Sequence, residues 1–256
     1  MYELFQALRM THIAFGSVAL VAFWVPIAAA KGGKLHVRIG WTYAACMSVV
    51  VLTAFLMSGL AYGFPLDIRH FDHVLTNEEA MRHRQLSRQF AVFLAFLGGV
   101  TLAAGWQGIG VLRARKKPNG LRNPFTLTLN AVVVLAAIVV LSIGVREHNW
   151  TFVGMSAVGF VAVGNLAYLL RKPQTKMHWW YEHVSSMIGT AIAAYTAFLV
   201  FGGARLMPGL ASSPYYVAVW LLPTAIGAPA IALTIAYYRR KFHDNGKPLA
   251  SARAGA

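Results

Sequence analysis

Seven apolar runs, near 10–30, 39–62, 89–112, 124–145, 151–170, 181–203 and 215–238, constrain this chain more than any other feature. Each is close to the length of about 20 residues that a helix needs to cross about 30 Å of hydrocarbon. Inside a bilayer no water satisfies the backbone, so only helices and closed barrels can cross it, and continuous apolar runs of this length spell helices. With 57% hydrophobic and 12% charged residues, the chain has too few charges to coat a soluble globule of 256 residues. The expected fold is all-α: one polytopic seven-helix membrane domain over 1–238, followed by a basic tail, 239–256. Polar extensions lengthen two of the expected helices, to 77–112 and 178–203.

Charge sets the expected orientation, because cytoplasmic loops retain Lys and Arg. With the amino terminus outside, segments 31–38, 113–122, 171–176 and the tail lie inside, and they hold sixteen of the 23 basic residues, including all eight lysines. The outer segments hold six of the eight acidic residues, so the net charge of +15 divides into about +14 inside and +1 outside. Basic loops against anionic lipid account for the charge, and nucleic acid is not an expected partner. The carboxyl terminus is therefore expected in the cytoplasm. The single cysteine, Cys46, excludes an intrachain disulfide and a multi-thiolate metal site. Ala28-Ala29-Ala30 imitates a signal-peptide cleavage site, but Glu3 ahead of the run and Lys31 and Lys34 behind it fit a retained helix better.

Several local signals place the helix ends. Lys31-Gly32-Gly33-Lys34 makes a short turn, so helices one and two are antiparallel neighbours. Thr76-Asn77-Glu78-Glu79 reads as a capping box that starts helix three outside the bilayer. Pro118-Asn119-Gly120 is a turn, and Pro124 suits the first turn of helix four. Pro26 bends the end of helix one, and Pro223 and Pro229 interrupt helix seven. Only helix seven is broken twice, and no internal repeat is visible, which counts against an inverted-repeat transporter.

Read along their helices, the polar intramembrane residues gather in the cytoplasmic half. They are Gln107, Asn130, Asn165, His36, His178, Glu182 and His183. Polar side chains in a membrane often bond helix to helix, and His178 beside Trp179 and Trp180 suits the headgroup level. His183 lies deeper and about 140° around the helix from His178, on a stripe continued by Met187 and Thr190. His36 and His183 thus enter from one side at similar depth. Two neutral imidazoles can hold a haem b iron, with Lys34, Arg38 or Lys176 for its propionates, and with Glu182 they can hold a transition metal. A proton-handling histidine pair is a third option.

The outer face offers an alternative metal site in His70, His73, His83 and Glu79, with His12, His148, Asp67 and Asp72 in the same segments. Glu79 and His83 are four apart on one helical face, and His70 and His73 have a spacing compatible with chelation. No phosphate loop, nucleophile elbow, zinc-protease helix or dinucleotide fingerprint is present, and no lysine of helix seven can form a retinal Schiff base. These features leave open whether the chain is an enzyme.

Lys31-Gly32-Gly33-Lys34-Leu35-His36 with Gly40, Glu182-His183 with Met187, Ile192-Ala193 and Thr196-Ala197-Phe198-Leu199-Val200 resemble a family of uncharacterised bacterial multi-pass membrane proteins. Trp220-Leu221-Leu222-Pro223-Thr224 with Gly227 and Pro229 looks like the closing motif of the same family. The resemblance covers both ends and little of the middle; it implies a multi-pass protein of the bacterial cytoplasmic (inner) membrane and no activity. It does put His36 and His183 on positions that match the family pattern and leaves the outer histidines outside it.

The first expected function is therefore membrane electron transfer through a haem b or metal held by His36 and His183, with quinone or a membrane redox protein as partner. The rival is a small-solute carrier or channel running past the inner polar cluster and helix seven. A non-catalytic subunit of a homo- or hetero-oligomeric membrane complex is a third reading, with the small residues of helices three and five as packing surfaces.

Overall fold

The structure, a computed structural model, describes residues 1–115, 120–171, 175–203, 209 and 216–244. Lys116 to Asn119, Lys172 and the tail from 245, all drawn on above, lie outside these residues. The described residues form helices and turns and no strand.

Among the described residues, seven helices are long and apolar enough to span a membrane: α1 (Tyr2–Ala28), α2 (Lys34–Gly63), α3 (Asn77–Ala114), α4 (Pro124–Arg146), α5 (Trp150–Leu170), α6 (His178–Gly203) and α7 (Tyr216–Lys241). Their outward residues are apolar, with Val21 73%, Leu135 62% and Leu233 71% exposed, a pattern that water penalises and lipid tails do not. The chain is a multi-pass membrane protein on these grounds.

Three helices differ from the expected reading: α2 starts at Lys34, ahead of its apolar run, and α1 and α7 depart further. α1 begins at Tyr2 and takes Gln6, Arg9 and His12 into the helix. α7 runs unbroken through Pro223 and Pro229, where an interruption was expected. A proline inside a helix withholds one amide from the carbonyl four residues back, and neighbouring helices can hold such a helix together.

The chain divides into two compact units. One comprises Met1–Leu102 and Ala131–Phe160. In it α1 and α2 are antiparallel, in a register marked by His12 Nδ1 3.0 Å from Thr53 Oγ1 and by Phe23 and Tyr43 ring centroids 5.7 Å apart. The turn between them uses Gly32 at φ 76°, where a side chain would be strained. Lys31 Nζ donates to the terminal carbonyls of Pro26 (2.9 Å) and Ile27 (2.5 Å), and burial pulls its ammonium below the usual lysine range.

The capping box forms as read: Thr76 N donates to Glu79 Oε2 at 2.9 Å and Glu79 N to Thr76 Oγ1 at 3.3 Å. About two turns of α3 later, Ser87 Oγ and Arg88 Nε donate to the α2 carbonyls of Ala61 (3.1 Å) and Tyr62 (3.2 Å). Gln85 and Gln89 both donate to Glu147 Oε1, at 3.2 and 2.9 Å, which fixes α3 against the α4–α5 turn. Asn149 caps α5 by accepting from Thr151 N and Phe152 N. Phe93 and Phe152 stack at 4.5 Å, and Phe93, Phe96 and Val140 form a fully buried core.

The other unit comprises Ala103–Asn130 and Val161–Ala256. Val111, Leu121 and Leu169 form its core, with Leu127, Tyr168 and Trp179 packed against them. Asn123 Oδ1 accepts from Thr126 N at 2.9 Å, so Pro124 takes the first helical position it was expected to fill. Arg122 Nε donates to the Leu169 carbonyl near the end of α5.

Candidate functional site

The second unit collects most of the inner polar residues. The neighbourhood begins with glycine. A Cβ on Gly108 of α3 would sit 3.0 Å from Met187 Sδ and from Ser186 Cβ of α6, and one on Gly105 would meet Thr190 Cγ2 at 3.8 Å. The absence of side chains at 105 and 108 lets the stripe of α6 that contains His183, Met187 and Thr190 lie against the α3 backbone.

That approach creates two polar contacts. His183 Nδ1 lies 2.7 Å from the Gly108 carbonyl oxygen, and Gln107 Nε2 donates to Glu182 Oε1 at 3.0 Å. A carbonyl only accepts, so His183 carries a proton on Nδ1, and in the neutral ring the lone pair is on Nε2. Gln107 is fully buried, and its other amide atom, Oε1, is buried without a hydrogen-bond partner among the described residues. Glu182 has this one neutral amide for its carboxyl and no Lys or Arg within ion-pair distance among the described residues.

Asn130 and Asn165 meet as well: Asn165 Nδ2 donates to Asn130 Oδ1 at 3.0 Å, and Asn130 Nδ2 to the Thr126 carbonyl at 2.8 Å. This is the helix-to-helix reading of the two amides, with α4 and α5 as the partners. His178 lies at the start of α6, with Nδ1 2.6 Å from the Tyr168 hydroxyl.

His36 belongs to the first unit. Its Nδ1 is 3.1 Å from the carbonyl oxygen of Pro26, in the last turn of α1, so it too is protonated on Nδ1 with the neutral lone pair on Nε2. It occupies the first turn of α2, which starts five residues earlier than the apolar run suggests.

The outer residues do not assemble as a four-ligand site. His73 Nε2 and Glu79 Oε2 are 3.7 Å apart, 64% and 47% exposed. His70 packs its ring on Tyr2 at 3.9 Å, and His83 packs on Phe71 at 5.1 Å. Glu79 is committed to its cap, and the two aromatic contacts draw His70 and His83 to separate partners. Among the described residues, no three His, Cys, Asp or Glu side chains gather where they could hold a metal ion.

Sequence reasoning missed three participants. Tyr168 is one turn from Asn165 on α5, a spacing that puts both on one face and could have flagged it. The Gly108 carbonyl had no signal beyond its neighbour Gln107. Thr53, the partner of His12, was hidden in an apolar stretch. The chain matches no known protein family, no curated protein and no solved structure.

Proposed function

We propose that the chain is a membrane carrier or channel for a small cation with N–H or O–H donors, whose path passes Gln107 and Glu182. The observation that carries this reading is the pair itself. Among the described residues, a carboxyl on a spanning helix has one neutral partner and no counter-ion, and the fully buried amide oxygen of that partner accepts from no donor. Ionisable groups at membrane depth are costly, and where they persist they mark substrate and ion pathways. Both unmet groups are acceptors, so the complementary solute donates. Two backbone features of the same unit support the reading: α6 ends in a π-helical stretch, Phe198–Gly203, and Pro223 and Pro229 provide no amide to the Val219 and Ala225 carbonyls of α7. Such irregularities are tolerated where protein or a cavity faces them, and π-helical turns recur at functional sites.

Thiol accessibility tests this reading in reconstituted protein with Cys46 replaced by alanine. Gln107→Cys is expected to react with 2-aminoethyl methanethiosulfonate through the path, whereas Val111→Cys, one turn further along α3 and as buried but packed in the apolar core with Leu121 and Leu169, stays unmodified. The preference for this cationic reagent over the 2-sulfonatoethyl one should fall roughly tenfold or more when Glu182→Gln is added. A Gln107→Cys protein as unreactive as Val111→Cys would remove the path.

The redox reading keeps a specific observation in its favour. His36 and His183 each have Nδ1 on a main-chain carbonyl, the arrangement that fixes the tautomer of an iron- or metal-binding histidine. A bound haem would supply one-electron chemistry to a quinone or a protein partner. A dithionite-reduced minus oxidised spectrum of the purified protein, with metal analysis, is the check. Sharp α and Soret bands that vanish in His36→Ala and in His183→Ala would establish that reading, and a colourless, metal-free protein would end it. The family resemblance favours neither reading, because it brings no activity.

A further inference from the structure

The last turn of α7 carries Arg239, Arg240 and Lys241 in succession, all exposed. Two of the three are held over aromatic rings. The Arg239 guanidinium is 5.3 Å from the Tyr181 ring centroid, and Lys241 Nζ is 5.7 Å from that of Tyr238. The rings belong to a packed group: Trp180 lies 4.2 Å from Tyr238 and 5.7 Å, edge-on, from Phe242. The one carboxylate nearby, Asp244, accepts from the Tyr181 hydroxyl at 3.0 Å and forms no ion pair among the described residues. The pattern recurs at the neighbouring indole, where the Arg115 guanidinium is 5.7 Å from Trp179.

Aromatic side chains with one polar end settle where hydrocarbon meets water, so this group marks the boundary at the end of α7. Cations bedded on it sit at the depth of lipid phosphates. We propose that Arg239, Arg240 and Lys241, on the platform of Trp180, Tyr181 and Tyr238, bind the phosphodiester headgroup of an anionic phospholipid. Charge complementarity carries the assignment: three cations without a carboxylate partner among the described residues, oriented by rings, at a membrane boundary. Cations at a helix carboxyl end also offset the helix dipole. That effect alone would stabilise the protein equally in any lipid.

The test uses the full chain in nanodiscs of phosphatidylcholine alone or with phosphatidylglycerol. Thermal unfolding reports the stabilisation by lipid, and native mass spectrometry reports the phosphatidylglycerol retained. The wild type should gain stability in a saturable way as phosphatidylglycerol rises. Each Arg→Gln or Lys→Gln change at 239, 240 and 241 should lower retention about fivefold and shrink the stability gained on adding phosphatidylglycerol, beyond whatever the lost helix-end charge costs in pure phosphatidylcholine. If the triple variant does not fold, the charge-conserving Arg239→Lys/Arg240→Lys protein must still retain the lipid. Failure of that variant to do so, undiminished retention in the triple variant, or a wild type indifferent to phosphatidylglycerol would each overturn the proposal. A comparable stabilisation by free glycerol phosphate in pure phosphatidylcholine would reassign the surface to a soluble phosphate and overturn the lipid assignment.

Discussion

Replacing Gly159 by alanine is expected to lower the unfolding free energy by about 1–3 kcal/mol, the usual cost of overpacking a tight contact. A Cβ at position 159 would lie 2.5 Å from the Cβ of Ala137 in α4. Carbon atoms in contact prefer separations of about 3.5–4.0 Å, so α4 and α5 would have to separate by about 1 Å. Neither atom can swing aside, because a Cβ moves only with its backbone. The separation would also loosen Phe96, whose ring is 3.7 Å from the same point.

Two controls isolate the cause. Gly164→Ala, on the same helix with nothing within 4 Å of its new Cβ, should be neutral or stabilising by up to about 1 kcal/mol, because alanine favours helix. Ala137→Gly should restore part of the loss in the Gly159→Ala background, although alone it destabilises. Thermal unfolding in detergent of the two single variants and the double variant gives the coupling. Additive effects would show that the α4–α5 contact is not the cause.

Glu182→Leu is expected to destabilise the protein by about 1–2 kcal/mol, because it leaves Gln107 buried with both ends of its amide unmet. The double variant Gln107→Leu/Glu182→Leu should return to the wild-type stability or exceed it. Replacing both partners of a buried polar pair with apolar groups is often neutral, whereas removing one is not. The recovered protein should have lost the preference for cationic thiol reagents, measured with Ser186→Cys, beside Gly108, as the reporter. A stable double variant that keeps the preference would detach Gln107 and Glu182 from the path. A double variant as weak as Glu182→Leu would show that the pair is needed for the fold itself.

The fold was legible in the sequence wherever one local cause decided it. The Thr76–Glu79 box, Pro124 behind Asn123 and the Gly32 turn each act within four residues, and each forms as read. The stripe of His183, Met187 and Thr190 also held, because helical periodicity alone puts them on one face, and that face meets Gly105 and Gly108. The first turns of α1 were not legible, since Gln6 and Arg9 interrupt the apolar run that hydropathy follows. The candidate site was legible in its members and not in its pairs. Gln107 and Glu182 are 75 residues apart, and Asn130 and Asn165 are 35 apart, so no periodicity connects them.

The sequence by itself determined that the chain is helical and how many helices can span a membrane, because both follow from run length and from the need to satisfy every backbone group without water. It also determined which residues are costly to bury. The tertiary structure alone decided how each of those costs is met. It set Asn165 against Asn130, leaving both amides paired, and Gln107 against Glu182, leaving Gln107 Oε1 without a partner among the described residues. The difference lies in where glycine lets two backbones approach. Side chains 75 residues apart can bond only after helices have packed, and their packing depends on the shapes of whole faces.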